Sequence, residues 1–595
     1  MSAPSPGQAA FSVKVKGQPV DGTIQVASVE IWSSVNRVPR ARLLMYDGSP
    51  AQGTFPLSAS DTFLPGNDVE VAAAYGDDPK VLLFRGVIVR QGIEVDEIGA
   101  SRLAVELADR ALGMTLERRS AVFTRLTDSE LIERLIRGHG LRATVTGSHV
   151  SHPQIVQYYA SDWDLMVMRA EVNGFVVLAG AEGVWVGPPD TSQAPVDTVT
   201  YGDSMLDLRA EMDAVSQLSS TAIRSRAWDP GTQTVVDAGP GAVWVTEPGN
   251  VSSDTLAGVF AVGSFGQQSA GALQQEALEQ WSSAELLKSR LSKVRGRVRF
   301  LGTSTVKAGT MLTLAGLGGR FNGRVWVSGV RHVLEHGTWL ITAEFGLSPR
   351  WFAAETPDIS APQAAAQLPQ AAGLQAGVVK AVATDPAGAF RVQVNLPLAG
   401  DGEEALVWAR LATFYASSGF GALFYPEQGD EVVVGFMNDD PRFAVVLGSV
   451  YSTGRAPPTP PAEANDIKEL VTRGKLTLSF DDANGVLEIR TPKHSISLDD
   501  KAVEVRVADG SGNTVTLSKD GIAVQSASDL TLKANGSVRV QAGGKLSLSA
   551  AEDVSVAGTE VSVSAQAKLS ASAGGIAELS GSTLVEVKGA LVKIN

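Results

Sequence analysis

The sequence contains no cysteine, which excludes disulfide cross-links and thiolate metal sites. It has no cationic excess either. Lys and Arg number 50 against 64 Asp and Glu, and a formal net charge of −14 has the wrong sign for a nucleic-acid surface. No apolar run approaches the roughly eighteen residues that a membrane-spanning helix needs. The longest candidate, Phe175-Val-Val-Leu-Ala-Gly, has the length of a core strand. The opening Met1-Ser-Ala-Pro-Ser-Pro-Gly lacks a basic stretch followed by an apolar one, so a cytoplasmic product without secretory signal is expected. Histidine is scarce, at six residues: His139, His149, His152, His332, His336 and His494. His149 and His152 are close in sequence but have no evident third ligand, so both are read as loop residues, and no metal or other cofactor is expected.

What the sequence does have is a repeat. From Ile522 onward a short apolar-x-apolar unit returns every eight residues: Ile522/Val524, Leu530/Leu532, Val538/Val540, Leu546/Leu548 and Val554/Val556. The phase slips by one to Val561/Val563, continues through Leu569/Ala571, Ala577/Leu579 and Val585/Val587, and shortens again to Val592/Ile594. Residues i and i+2 share one face of an extended strand. The residue between them (Thr531, Arg539, Ser547, Ser555, Ser562) is polar, and the spacers are rich in Gly, Ser, Ala, Asn and Lys, as corners require. A three-residue strand with two inward side chains is stable only when stacked. This predicts a parallel β-solenoid.

Two inward residues per strand are too few to fill a single-chain solenoid. Three chains wound about one axis would fill a triangular prism and leave no long free edge. The expected trimer core is therefore Ile522, Val524, Leu530, Leu532, Val538, Val540, Leu546, Leu548, Val554, Val556, Val561 and Val563. An ordinary antiparallel sheet would not keep so regular a step. A calcium-binding nonapeptide solenoid would need Gly-x-Asp after Gly543-Gly544 or Gly574-Gly575, and neither has it.

Upstream, alternating strand patterns fill residues 11 to about 115, with turn signals at Asp21-Gly22 and Asp47-Gly48. Helices are expected at Ser129–Arg137 with Asp128 as cap, around Ser161–Asn173, and over about Gly271–Leu291. Strands return from Gly296 to Gly346. Residues 353–374 read as a Pro/Ala/Gln linker. Five short strands follow: Val378-Val-Lys-Ala-Val, Phe390-Arg-Val-Gln-Val, Leu406-Val-Trp-Ala-Arg, Asp430-Glu-Val-Val-Val-Gly-Phe and Phe443-Ala-Val-Val-Leu-Gly. Their spacing suits a small OB-type barrel. The expected organisation is a β-rich body over 1–352, a linker over 353–374, a barrel over 375–455, a Pro-rich linker over 456–469 and a needle over 470–595.

The barrel segments Val407-Trp-Ala-Arg, Tyr425-Pro-Glu-Gln-Gly-Asp and Asp440-Pro-Arg-Phe carry a resemblance. So do Val38-Pro-Arg-Ala, Phe84-Arg-Gly-Val-Ile, Gln157-Tyr-Tyr-Ala-Ser-Asp-Trp-Asp and Arg169-Ala-Glu-Val-Asn-Gly174 upstream. Together with the order body, barrel, needle, they resemble the valine–glycine repeat (VgrG) spikes of phage-tail-like contractile injection machines. Asn36-Arg-Val-Pro ahead of Met45-Tyr-Asp-Gly is closer to spikes of extracellular injection particles than to type VI proteins. The resemblance implies a mainly β protein: a phage-hub-like body, an OB barrel and a C-terminal triangular parallel β-helix forming a homotrimeric needle. It implies an inner tube protein and baseplate proteins as partners, effector cargo as a further one, and transient contact with a target envelope. It also implies assembly into a baseplate and delivery outward or into a target cell. A conical tip protein with Pro-Ala-Ala-Arg motifs (PAAR) is implied at the last strand, Leu591, Val592, Lys593, Ile594 and Asn595, where an uncapped stack exposes unpaired backbone.

Chemistry is not expected. The paired acids Glu403-Glu404, Asp439-Asp440, Asp481-Asp482 and Asp499-Asp500 lie in turn-like contexts. Ser452–Leu470 is too short for an enzyme domain. The cations of Lys288-Ser-Arg-Leu-Ser-Lys-Val-Arg-Gly-Arg read as a solvated helix end, and Trp163, Trp281, Trp339 and Trp408 as core. The expectation is a non-enzymatic spike. The alternative is a cell-wall or glycan-acting protein that binds sugar through the barrel.

Overall fold

The computed structural model describes residues 8–97, 99–400 and 402–594, apart from the side chain of Glu403. The chain divides into two compact units that meet between Val450 and Tyr451.

The first unit is organised on one large sheet whose halves come from distant parts of the sequence. Strand Val26–Ser34 pairs with Arg40–Tyr46 on one side and with Gly323–Glu335 on the other. Outward from the first run Ser101–Ala108, Val81–Val95, Asp68–Tyr75 and Ala9–Val15; outward from the second run Thr338–Phe345, Val294–Leu301 and Met205–Met212. Alternation decides which side chains go in. Val29 and Ile31 are fully buried with Leu43, Met45, Leu103 and Leu107, whereas Glu30 turns outward and pairs with Arg331. Val298, Phe300, Leu314, Val327 and Ile341 make the matching core of the other half.

A helical layer lies alongside. Helices α1 (Asp128–Gly138) and α2 (Asp162–Val172) bury Leu131, Ile132, Leu135, Ile136, Met166 and Val167 together against Val177 and Val186. Helices α3 (Ser253–Phe260) and α4 (Gln275–Ser292) follow. The α1 start corrects the expectation: Thr127, not Asp128, is the cap, with its side chain on the Glu130 amide and Glu130 reaching back to the Thr127 amide. Asp128 is instead a buried first-turn residue.

Five strands close the small barrel: Gln375–Ala381, Val392–Asn395, Leu406–Leu411, Ala444–Ser449 and Glu431–Phe436. Parallel pairing of Arg410 with Val445 completes the ring. Val379, Val392, Val394, Val432, Val434 and Val446 fill it and are fully buried. Gly377 is required here, because a Cβ would lie 2.4 Å from Val394 Cγ1. The stretch 353–374 is not a free tether. Arg118 donates to the Ser360 carbonyl at 2.9 Å, the Ala371 amide to the Asp439 carbonyl at 2.8 Å, and Arg442 to Gln367 at 3.1 Å.

The second unit departs from the expected architecture in its first part. Residues 467–525 form a seven-stranded antiparallel meander in which each strand pairs with the next, rather than a parallel helix beginning at 470. Ile522 and Val524, expected as the first solenoid unit, lie on its last strand, Gly521–Gln525. The physical reason is the turns. Asn484-Gly485 and Asp520-Gly521 place glycines at φ +68° and +122°, so the chain reverses after each strand instead of turning a corner. From 526 to 594 the chain carries no helix and no paired strand among the described residues.

Candidate functional site

Alternation separates the two faces over the last six strands of the meander, from Thr477 to Gln525. Leu478, Ile489, Ile496, Val507, Val515 and Val524 align in one column. Phe480, Leu487, Leu498, Val505, Leu517 and Ile522 align in a second column on the same face. The opposite face carries Ser479, Glu488, Ser497, Arg506 and Thr516. None of the twelve apolar residues is buried. The sheet therefore presents a two-column apolar wall with no cover among the described residues.

The repeat follows the meander in sequence. Each apolar pair from Leu530/Leu532 to Val592/Ile594 is preceded, two residues earlier, by a bend: Asn535-Gly536, Gly543-Gly544, Ala551-Glu552 and so on to Ala590. The two short units bend at single residues, Thr559 and Ala590, and have glycine, Gly558 and Gly589, one position before. A Cβ on either glycine would lie 3.3–3.4 Å from the carbonyl two residues on, which explains why glycine occupies the tightened corner. All the pair residues are exposed: Leu532 at 79%, Val540 at 68%, Leu548 at 77%. Leu530, Val538, Leu546, Val554, Val556, Val561 and Val563 are likewise exposed, as are Leu591, Val592 and Ile594. Asn595 lies outside the described residues. Among the described residues, 530–594 make no backbone–backbone hydrogen bond. Some sixty residues with both apolar pairs and backbone groups unpartnered are not stable alone.

A third apolar surface went unnoticed in the sequence. The barrel loop 412–424 contains no charged residue and exposes Phe414, Tyr415, Phe420, Leu423 and Phe424. An Ala416–Gly421 bridge holds it as a small hairpin, with the Tyr415 and Phe420 rings 6.0 Å apart. Its signal was present: an uncharged aromatic run between two barrel strands.

The groups considered for chemistry are used structurally. Asp440 is paired to Arg442 at 2.7 Å, and Asp481 binds the Asn484 side chain and amide of its own turn, which hold its carboxyl below the usual range. Asp499 accepts from the Ala502 amide. His152 is not a loop residue: it lies on strand Ser151–Ser161, 3.2 Å from Asp128. Asp128 also receives Arg169 at 2.6 Å and Asn173 at 2.8 Å. Burial pushes its carboxyl up, but the hydrogen bonds from His152, Arg169 and Asn173 outweigh that and hold it at about 2. Asp162, at the start of α2, repeats the theme with Arg119, Gln157 and His139. His332 is buried, accepts from the Trp339 indole and is pushed down to about 4, chiefly by that burial. No group of three metal-ligating side chains gathers among the described residues.

Of the cationic stretch from Lys288, Lys288, Arg290 and Lys293 are turned inward, while Arg297 is exposed as expected. Lys288 reaches Glu171 across the body, and buried Lys293 donates to Glu247 and to the Pro248 and Val251 carbonyls. Burial displaces these cations from water, and each is compensated by a carboxylate. Trp163 and Trp339 are buried as expected, while Trp281 and Trp408 are half-buried.

Residues 5–336 match the model of the Alg8 N-terminal domain. The chain belongs to the Alg8 N-terminal domain family. Residues 375–451 match the type VI secretion system/phage-baseplate injector OB domain, which coincides with the closed barrel. Among curated proteins, the chain is similar to the type VI secretion system spike protein VgrG3 of Vibrio cholerae. They are 32% identical over 107 residues, 17% of this chain and 10% of that protein. It is also similar to the spike protein VgrG4b of Pseudomonas aeruginosa, 32% identical over 96 residues, 15% of this chain and 12% of that one. The chain thus spans about a tenth of the length of the curated relatives it matches. Among solved structures, the 43 kDa tail protein of prophage MuSo2 from Shewanella oneidensis aligns with a TM-score of 0.42 and 10% identity. That alignment covers 57% of this chain and 98% of that protein. The injector OB domain and the spike relatives bear out the resemblance to VgrG-type spikes. No helix among the described residues is long and apolar enough to cross a membrane.

Proposed function

We propose that the chain is the non-enzymatic central spike of a contractile injection machine, working as a homotrimer. The observation that carries this reading is the coincidence over 530–594 of exposed apolar pairs and unpartnered backbone, directly after a meander with one bare apolar wall. Three copies placed wall to wall would bury both columns, and their extended tails would pair with one another as a triangular parallel β-helix. The sixty-residue tail then needs no further core of its own. The body and barrel sit at the baseplate against the inner tube protein, and sheath contraction drives the prism through the target envelope. Its part is mechanical: a narrow rigid prism concentrates force at one point.

A tip protein of the Pro-Ala-Ala-Arg kind would dock at Leu591–Ile594. Effector cargo would travel with that tip. Imaging purified particles with a tag on the body tests the assignment. Three tags clustered at one end of the inner tube are expected. Tags distributed along the sheath, or particles that assemble and inject normally without the chain, would overturn it.

A further inference from the structure

Glycine takes a left-handed backbone freely and Asn or Asp tolerate one, but alanine rarely adopts it. The connector between body and barrel nevertheless turns through three consecutive alanines at positive φ. Ala364 stands at +48°, Ala365 at +52° and Ala366 at +55°. Glycine is used in the same connector, where Gly373 takes φ +76°. The alanine turn packs on a barrel turn, Met437–Asp439, in which Asn438 and Asp439 are left-handed too, both at +54°. No local preference of an alanine run selects this conformation, so the contacts around it must hold it. Such contacts are present on both sides. Toward the body, the Trp351 indole donates to Glu285 and the Phe352 amide to Glu171, each at 2.7 Å, and Arg118 donates to the Ser360 carbonyl. Toward the barrel, Arg442 donates to Gln367 and the Ala371 amide to the Asp439 carbonyl. Ala364 itself is fully buried.

We propose that Ala364–Ala366 form a sprung latch at the junction of body and barrel. While Arg442 and Asp439 hold its far end, the turn stays compact and strained. Once those two bonds part, the alanines relax to extended backbone and nothing local draws them back. An extended residue spans up to about 3.3–3.6 Å, so the freed connector lengthens and the barrel can shift from the body. Arg442 keeps its ion pair with Asp440 throughout, so the barrel loses nothing of its own on release. The junction is thus the soft point of the first unit and opens before the large sheet or the barrel unfolds. In a chain that passes force from body to barrel, such a joint yields while both folds survive. The latch concerns this junction alone and stands whether or not the chain is a spike.

Hydrogen exchange on the full chain, read as the protection of single amides, tests the latch. Its reporters are the Gln367 amide, on the Ala364 carbonyl at 2.9 Å, and the Ala371 amide, on Asp439 at 2.8 Å. Amides of strand Glu431–Phe436 report the barrel. In the unmodified chain the two reporters are expected to exchange together, roughly tenfold or more ahead of that strand. Ala365→Gly with Ala366→Gly relieves the strain and is expected to slow both reporters roughly fivefold or more, although glycine ordinarily loosens a chain. Ala372→Gly, outside the left-handed run, is expected not to slow them. Gln367→Ala, which leaves Arg442 on Asp440, is expected to speed the Ala371 amide roughly threefold or more. Reporters no faster than the barrel strand would mean that connector and barrel open as one, and would overturn the latch. So would unchanged or faster exchange in the glycine pair, or equal slowing by Ala372→Gly. A Gln367→Ala variant that exchanges like the unmodified chain would overturn it as well.

Discussion

Asp128 ties the helical layer together: it begins α1, receives Arg169 and Asn173 from α2 and its C-cap, and receives His152 from the strand between. Its carboxyl is held at about 2 against an ordinary 3.8. A depressed acid contributes stability that is fully present above its unfolded value and is lost as pH falls through the folded one. The body should therefore lose ~2 kcal/mol between pH 4 and pH 2 from this group. Asp128→Asn should cost ~2–3 kcal/mol at neutral pH by leaving Arg169 without its counter-charge. It should also flatten that acid limb. Thermal melts followed by the fluorescence of buried Trp163, the second residue of α2, read both effects. An unchanged acid limb in the variant would show that other carboxylates carry it.

In the barrel and the helices, pattern and fold agree. Period-two alternation with turn residues between strands was enough to place all five barrel strands, because each strand has one buried face and a slip of one residue would expose it. Apolar spacing at three and four, stopped by glycine, did the same for α1. The meander differs from the expected parallel helix because a two-apolar strand looks alike whether the next strand returns beside it or turns a corner. What distinguishes them lies in the connections: Asn484-Gly485 and Asp520-Gly521 were legible as hairpin signals, and the spacing there is not a regular eight. Asp128 and Lys293 depart from their local patterns for another reason. A charge's partner comes from dozens of residues away, which no local pattern reports. The faces themselves can be tested. Leu487→Asp, on the apolar wall, should abolish self-association, whereas Ser497→Asp on the opposite face should be tolerated. In the repeat, Val540→Asp or Leu548→Asp would bring three like charges to one axis and should be far more damaging than Ser547→Asp. Equal melting temperatures for the inward and outward variants would reverse the face assignment.

For the molecule as a whole, the apolar pairs of 530–594, the two columns of the meander and the aromatic barrel loop make one continuous case for self-assembly. Fully burying a Val, Leu or Ile side chain is worth about 1.5–3 kcal/mol, of which chain ordering takes back part. With eleven such residues and Phe480 on the meander, and one or two more in each repeat unit, the net favours an assembly that does not dissociate on dilution. The most direct measurement is the solution mass of the purified full chain by light scattering, at micromolar concentration and after dilution. A single species at three times the chain mass of 62.2 kDa, unchanged on dilution, is expected. A stable, soluble species at the mass of one chain would contradict it.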